Sequence, residues 1–227
     1  HAQSISQIGS DINGESSGDQ FGRTALSDDG TIMAVGSIYN DGSGADNGHV
    51  RVYENTNGSW SQIGADIDGE PQVNGYSGWS VSLSGDGMIL AIGAPGNNAS
   101  GQYCGHVRVF SYGNGSWIQL GSDIDGPAGG GNFGYSVSLS NDGTVLAVGA
   151  PYNDENGSDA GEVKVFSYSN TSSAWSQLGS DINGEAFGDL FGISVSLSAD
   201  GNTLASGAVG SGTFAGYTKV YGYNNST

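Results

Sequence analysis

Short apolar runs separated by glycine-rich turns recur along this chain, and their hydrophobic pattern takes two forms. In Ser80-Val81-Ser82-Leu83-Ser84 and Ser194-Val195-Ser196-Leu197-Ser198, apolar and small polar residues alternate with period two, which predicts strands with two different faces. Met88-Ile89-Leu90-Ala91-Ile92-Gly93-Ala94 is continuously apolar and predicts a strand buried on both faces. The Asp-Gly pair between two such segments predicts a tight hairpin, because glycine accepts the positive φ that the turn requires. After a longer loop comes a third strand, His106-Val107-Arg108-Val109-Phe110, with counterparts beginning at His49, Glu162 and Tyr217. Its alternation sets valine and aromatic residues on one face and polar residues on the other, so His49 and His106 read as tolerated surface positions. Segments opening on Trp60, Trp117 and Trp175 predict a fourth strand. The Asp-Ile-Asp/Asn-Gly element that follows, at Asp66, Asp123 and Asp181 and also at Asp11, reads as a turn toward the next unit.

The Asp-Gly pairs at Asp29, Asp86, Asp142 and Asp200 lie 57, 56 and 58 residues apart, so the whole pattern is a repeat. Four antiparallel strands per repeat, without helical periodicity, predict an all-β fold: a β-propeller of four four-stranded blades. One domain over 1–227 is expected, with repeats near 13–69, 70–126, 127–184 and 185–227 plus 1–12. Residues Ser4 to Ile12 have a fourth-strand sequence with no preceding blade, whereas the last repeat stops after its third strand at Tyr217 to Tyr223. The N-terminal strand is therefore expected to complete the last blade, within one chain or between chains. Between chains the contact is head-to-tail and propagates as a filament where the rotation does not close. A third arrangement makes these blades part of a larger ring.

Composition narrows the partners. Five Lys plus Arg against 23 Asp plus Glu, a net charge of −18, exclude a nucleic-acid backbone and disfavour an anionic membrane surface. No apolar run approaches the roughly 18 residues of a membrane span, so no direct membrane insertion is expected. Cys104 is the single cysteine, so no internal disulfide framework exists, and it reads as a half-buried small residue. The first residue is His1, which fits a secreted chain after removal of a leader and fits a cropped chain equally well.

Phe21-Gly22, Phe133-Gly134 and Phe191-Gly192, with Gly78-Trp79 in the second copy, stand in phase with Gly93-Ala94-Pro95 and Gly149-Ala150-Pro151; Gly36-Ser37-Ile38 and Gly207-Ala208-Val209 take that place in the outer copies. These motifs resemble the FG-GAP repeats of integrin-α-like propellers. The resemblance implies a propeller fold and extracellular adhesion or ligand binding. The family's Asp-rich calcium loop is shortened here to Ser-x-Asp-Gly, as in Ser140-Asn141-Asp142-Gly143, and one carboxylate cannot supply the six or more oxygens that calcium takes.

Candidate chemistry is correspondingly sparse. Asp41, Asp46, Asp154 and Asp159 in the long loops are weak calcium ligands, and no other metal or cofactor is indicated. No nucleophile, base and orienting acid form a set, so catalysis is not expected. Sequons at Asn57, Asn114, Asn170 and Asn225 fall at one phase of every repeat, and Asn98 and Asn156 add two in long loops. Asn-Gly hairpin chemistry accounts for the first two without any glycan. Trp79, Tyr103, Tyr152 and Phe214 are positioned to meet a ligand on a propeller face, with core packing as the plainer use. The expectation is a non-catalytic extracellular structural or adhesive glycoprotein. Its partner is itself, as a homo-oligomer or filament, or else extracellular glycans or proteins bound by a lectin-like monomer.

Overall fold

Each Ser-x-Asp-Gly sequence folds into a hairpin held by its own side chains. Ser140 Oγ donates to Asp142 Oδ1 at 2.7 Å, the same oxygen accepts Thr144 N–H at 3.0 Å, and Val145 N–H donates back to Ser140 Oγ at 3.0 Å. Ser27/Asp29, Ser84/Asp86 and Ser198/Asp200 repeat the staple. The computed structural model describes residues 4–72, 74–127, 129–210 and 215–223, and among them the chain forms strands and no helix.

In the first blade, β1 (Phe21–Leu26), β2 (Ile32–Ser37) and β3 (His49–Thr56) form a meander whose outer side is filled by β4 (Ser59–Gln62) and β5 (Ile67–Asp68). The second blade repeats this with β6 (Ser80–Leu83), β7 (Ile89–Ala94), β8 (His106–Gly113), β9 (Ser116–Gln119) and β10 (Ile124–Asp125). The third does so with β11 (Ser136–Leu139), β12 (Val145–Ala150), β13 (Glu162–Ser169), β14 (Ala174–Gln177) and β15 (Ile182–Asn183). All these pairings are antiparallel. The fourth strand expected from sequence is thus one outer strand in two pieces. In blade 1, Tyr53–Thr56 pair with β4 and His49–Val50 with β5, and Gly64, at φ 74°, lies in the break between them. This corrects the reading of Asp-Ile-Asp/Asn-Gly as a turn: Ile67, Ile124 and Ile182 rejoin the sheet.

The last blade holds β16 (Ser194–Leu197), β17 (Thr203–Ala208) and β18 (Tyr217–Gly222) and is three-stranded among the described residues. Residues 4–12 form no ladder, so the closure expected within one chain is not made. Instead Ile8 O accepts the indole N–H of Trp60 at 3.1 Å. Ile63 O and Leu120 O accept from Trp117 and Trp175 in the same way, at 3.1 and 2.9 Å. The N-terminal segment therefore sits against blade 1 as the outer strand of each blade sits against the next.

The core lies in the seams between blades. Ile32, Val50, Leu83, Leu90 and Phe110 fill the first seam, Val107, Phe133, Leu146 and Phe166 the second, and Val163, Phe191 and Leu204 the third. Phe133 and Phe191 are completely buried, each contributing about 2–3 kcal/mol by removal from water. The two named motifs meet across these seams. A Cβ on Gly36, Gly93 or Gly149 would run into the carbonyl of Gly78, Gly134 or Gly192 of the next blade, so the Gly-Ala-Pro glycine is required by the approach of its neighbour. Ser80 and Ser136 donate to those same Gly134 and Gly192 carbonyls at 2.8 and 2.7 Å. Ser82 Oγ and Ser138 Oγ accept Leu139 and Leu197 N–H from the next innermost strand, both at 3.0 Å. The polar half of the alternating pattern is thus spent on joining blades.

Candidate functional site: an aromatic row, three charged clusters and an open edge

Gly78, Gly134 and Gly192 all hold a left-handed φ of 86–88°, and the residue after each immediately precedes an innermost strand. Those positions carry Trp79 and Tyr135, and Arg23 follows Gly22 in blade 1. The Arg23 guanidinium lies 4.8 Å from the Trp79 ring centroid, within cation–π range. Trp79 is 5.2 Å from Tyr135, which is 6.1 Å from Tyr152; Tyr76 and Tyr39 extend the row on the other side at 6.4 and 5.6 Å. A shallow groove of about 220 Å³ lies against Arg23, Trp79, Ser80, Tyr135 and Ser136. Burial pushes the Tyr76 and Tyr135 phenols up, so both stay neutral. Of the predicted ligand residues, Trp79 and Tyr152 are joined through Tyr135, Tyr103 is 40% exposed and lies outside the row, and Phe214 lies outside the described residues. Sequence reasoning missed Arg23, Tyr39, Tyr76 and Tyr135. The signal was phase: Tyr39 and Tyr152 both directly follow the Gly-Ala-Pro position, and Arg23 and Tyr135 the Phe-Gly position.

The start of each third strand is charged and buried. His49 and His106 are 2% and 1% exposed, and Glu162 at the same phase is fully buried, which corrects their reading as surface positions. The cause is the second piece of the outer strand, which covers His49 through β5 and His106 through β10. In blade 1, Arg51 makes a two-pronged pair with Asp66 at 2.9 and 2.8 Å and also meets Glu15. The Asp66 hydrogen bond raises Arg51 and the guanidinium lowers Asp66. In blade 3, Lys164 Nζ sits 3.1 Å from Glu162 and 3.0 Å from Asp181. Burial pushes Glu162 up to about 7 even so. Gln62, Gln119 and Gln177 hold Asp66, Asp123 and Asp181 at 2.7, 2.6 and 2.6 Å, which gives the repeated aspartate its structural use.

Glu15/His49/Asp66, Glu70/His106/Asp123 and Glu155/Glu162/Asp181 each gather three ligating atoms within 4.8 Å of one another. The loop carboxylates Asp41, Asp46, Asp154 and Asp159 belong to none of these groups among the described residues. Asp41 and Asp154 accept the backbone N–H of Asp46 and Asp159, both at 2.8 Å, and so shape their loops. Cys104 is fully buried rather than half-buried, its Sγ 3.3 Å from Asn97 O.

Asn57, Asn114 and Asn170 are exposed in the turns between third strand and outer strand. Asn57-Gly58 and Asn114-Gly115 take positive φ at both positions, the hairpin geometry Asn-Gly favours. Asn170 does not, and Ser173 carries the positive φ of that turn. Asn98 and Asn156 are exposed as well; Asn98 Oδ1 accepts Tyr103 N–H at 2.7 Å, and Asn156 Nδ2 donates to Gly184 O at 2.6 Å. Asn225 lies outside the described residues. At the chain's open side, Ile5, Ile8 and Val220 are exposed, Val220 on the edge strand β18. No helix among the described residues is long and apolar enough to cross a membrane.

Residues 125–166 match the FG-GAP repeat. No curated protein matches the chain. Among solved structures, it is similar to the Kuenenia stuttgartiensis hydrazine synthase, with 13% identity, a TM-score of 0.54, and coverage of 88% of this chain and 45% of that one. A putative 6-phosphogluconolactonase from Bacteroides uniformis gives 14%, 0.54, 82% and 46%. The β-propeller domain of the Trilobed protease from Pyrococcus furiosus, described as having an open velcro topology, gives 10%, 0.51, 91% and 55%. This chain spans about half the length of these structures, and at such identity the likeness concerns the fold alone. The architecture is that of a β-propeller, and residues 125–166 of it carry an FG-GAP repeat.

Proposed function

We propose that this chain is a non-catalytic protein-binding propeller, secreted and glycosylated, whose partner is a second copy of itself. The observation that carries the reading is the Ile8–Trp60 contact. It sets residues 4–12 against blade 1 in the place an outer strand takes against the next blade, while β18 is the last strand of its sheet among the described residues. Ile5-Ser6-Gln7-Ile8-Gly9 has the sequence of Trp60-Ser61-Gln62-Ile63-Gly64 with Ile in place of Trp. Laid along β18 of a neighbouring copy, it makes the fourth blade resemble the other three and covers Ile5 and Val220. The sequons at Asn57, Asn114 and Asn170 stand on exposed turns where glycans have room, Asn57 in the turn that Gly9 of the N-terminal segment approaches.

The test is the mass of the full chain in solution by light scattering, with electron microscopy of the same sample. Expected are head-to-tail oligomers that grow with concentration and are lost in Ile5→Asp and Val220→Asp, both at exposed positions. Monomers at every concentration would refute self-assembly. Intact-mass measurement of the secreted protein checks glycan occupancy.

The aromatic row supports a second reading, a glycan-binding face centred on Trp79. It predicts that Trp79→Ala abolishes binding on a glycan array without changing the oligomeric state.

A further inference from the structure

The three charged clusters are built on one plan, and blade 2 departs from it. In blades 1 and 3 the basic residue two places after the buried His or Glu enters its own cluster: Arg51 lies between Glu15 and Asp66, and Lys164 between Glu162 and Asp181. Arg108 holds the same place in blade 2 and goes elsewhere. Its Nη2 donates to the backbone carbonyl of Asp68 at 2.6 Å, and its guanidinium stands 5.3 Å from the Phe110 ring centroid. Among the described residues it makes no ion pair.

Among the described residues, Glu70, Asp123 and Asp125 are therefore left without a Lys or Arg in ion-pair contact. Asp125 is pushed up by burial and by the neighbouring charge of Asp123. His106, 1% exposed, points Nδ1 into this group, 3.7 Å from Glu70 Oε2 and 4.0 Å from Asp125 Oδ1, and that nitrogen has no hydrogen-bond partner. A buried imidazole nitrogen with no partner, facing several carboxylates, is costly unless something joins them.

We propose that His106, Glu70 and Asp123 form a binding site for a divalent transition-metal ion. One nitrogen and two carboxylate oxygens suit zinc or cobalt, whereas calcium and magnesium take oxygen ligands. Bonds of about 2.0 Å in a tetrahedron place ligand atoms roughly 3.3 Å apart, so the 3.7 Å between His106 and Glu70 needs to close by a few tenths of an ångström, and Asp123, within 4.8 Å of both, by at most about 1.5 Å. Burial, with the charge of Arg108 adding to it, pushes His106 down to about 4, so the ring is neutral at physiological pH and offers a lone pair. Glu70 also lines a groove of about 300 Å³ with Gln72, Asn97 and Asn98, which gives an ion a path from solvent. Asn97 Nδ2 steadies the Glu70 carboxylate at 3.2 Å. Blade 1 presents the same residue types, but Arg51 already occupies its carboxylates, so the site is particular to the second repeat.

The experiment is titration of the full chain with Zn²⁺ by calorimetry and with Co²⁺ by visible absorption. Expected is one ion per chain at this site, weakened in His106→Gln and in Glu70→Gln by at least the roughly tenfold that loss of a mere supporting residue costs. His49→Gln is expected to leave it unchanged. Circular dichroism checks that each variant folds. Glu70, with a side chain 38% exposed, decides the question if the His106 variant does not fold. Absence of binding, or undiminished binding in either folded variant, would overturn the proposal.

Discussion

Ser136 Oγ donates to the Gly192 carbonyl at 2.7 Å, across a seam and 56 residues of chain. The same carbonyl blocks any side chain at Gly149, whose Cβ would collide with backbone that cannot rotate away. Gly149→Ala is expected to destabilise the protein by about 3 kcal/mol, the upper part of the range for overpacking. Gly207→Ala, which would meet only the Ser194 hydroxyl, is expected to cost well under half as much. Chemical denaturation of both variants measures the difference.

Trp117 places its indole N–H on Ile63 O at 3.1 Å and sets its ring 5.0 Å from that of Tyr112, tilted by 46°. Trp117→Phe keeps most of the ring and loses the bond, so about 1 kcal/mol of stability is expected to go. Trp60→Phe is expected to cost less globally and to speed hydrogen exchange in residues 4–12, whose described anchoring on blade 1 includes that indole.

Glu162 and His106 act in opposite senses on stability. Glu162 rises from an ordinary 4.5 to about 7 on folding, so its contribution is lost as pH rises through that range. His106 falls from 6.5 to about 4, so its contribution is lost as pH falls through that range. The wild-type melting temperature is expected to be nearly flat where the ranges overlap. Glu162→Gln should melt lower as the pH is reduced from 6.5 toward 4, and His106→Gln should melt lower as it is raised from 4.5 to 7. Melts in metal-free buffer across this span test both signs.

The hairpin staples set the acid limit. Hydrogen bonds from Thr31 and Ser27 hold Asp29 below the usual carboxylate range, and those from Ser198 and Asn202 do so for Asp200. In Asp142, burial acts upward, but Ser140 and Thr144 prevail and the carboxyl is again lowered. Their contribution is present above about pH 3.8 and fades as pH falls through the lower folded values. Asp142→Asn is expected to cost about 1 kcal/mol at neutral pH and to flatten the acid limb of a melting curve.

The repeat, its hairpins and the apolar second strand were legible because each is a local pattern: Ser140 and Asp142 make their turn from four adjacent residues. The burial of His49 and His106 was not legible. It depends on Ile67-Asp68 and Ile124-Asp125 rejoining the sheet after a break, and short polar sequence reads equally as turn. The aromatic row was half legible, since Trp79 and Tyr152 stand out singly while their link, Tyr135, holds the place of Trp79 one repeat on and joins them only when neighbouring blades pack. Nor could sequence say that Arg108 turns away from its cluster when Arg51 does not; one residue type at one phase has two arrangements.

The innermost turns add a consequence of their own. Asp28 N–H donates to Gly85 O, Gly85 N–H to Asn141 O and Asn141 N–H to Ala199 O, at 2.9, 2.8 and 2.8 Å. Each link satisfies a turn in one blade with a carbonyl from the next, so a blade that melts strips its neighbour of a partner. Unfolding in such a chain spreads from an end like an opening zip, and the middle blades, bonded on both sides, outlast the outer two.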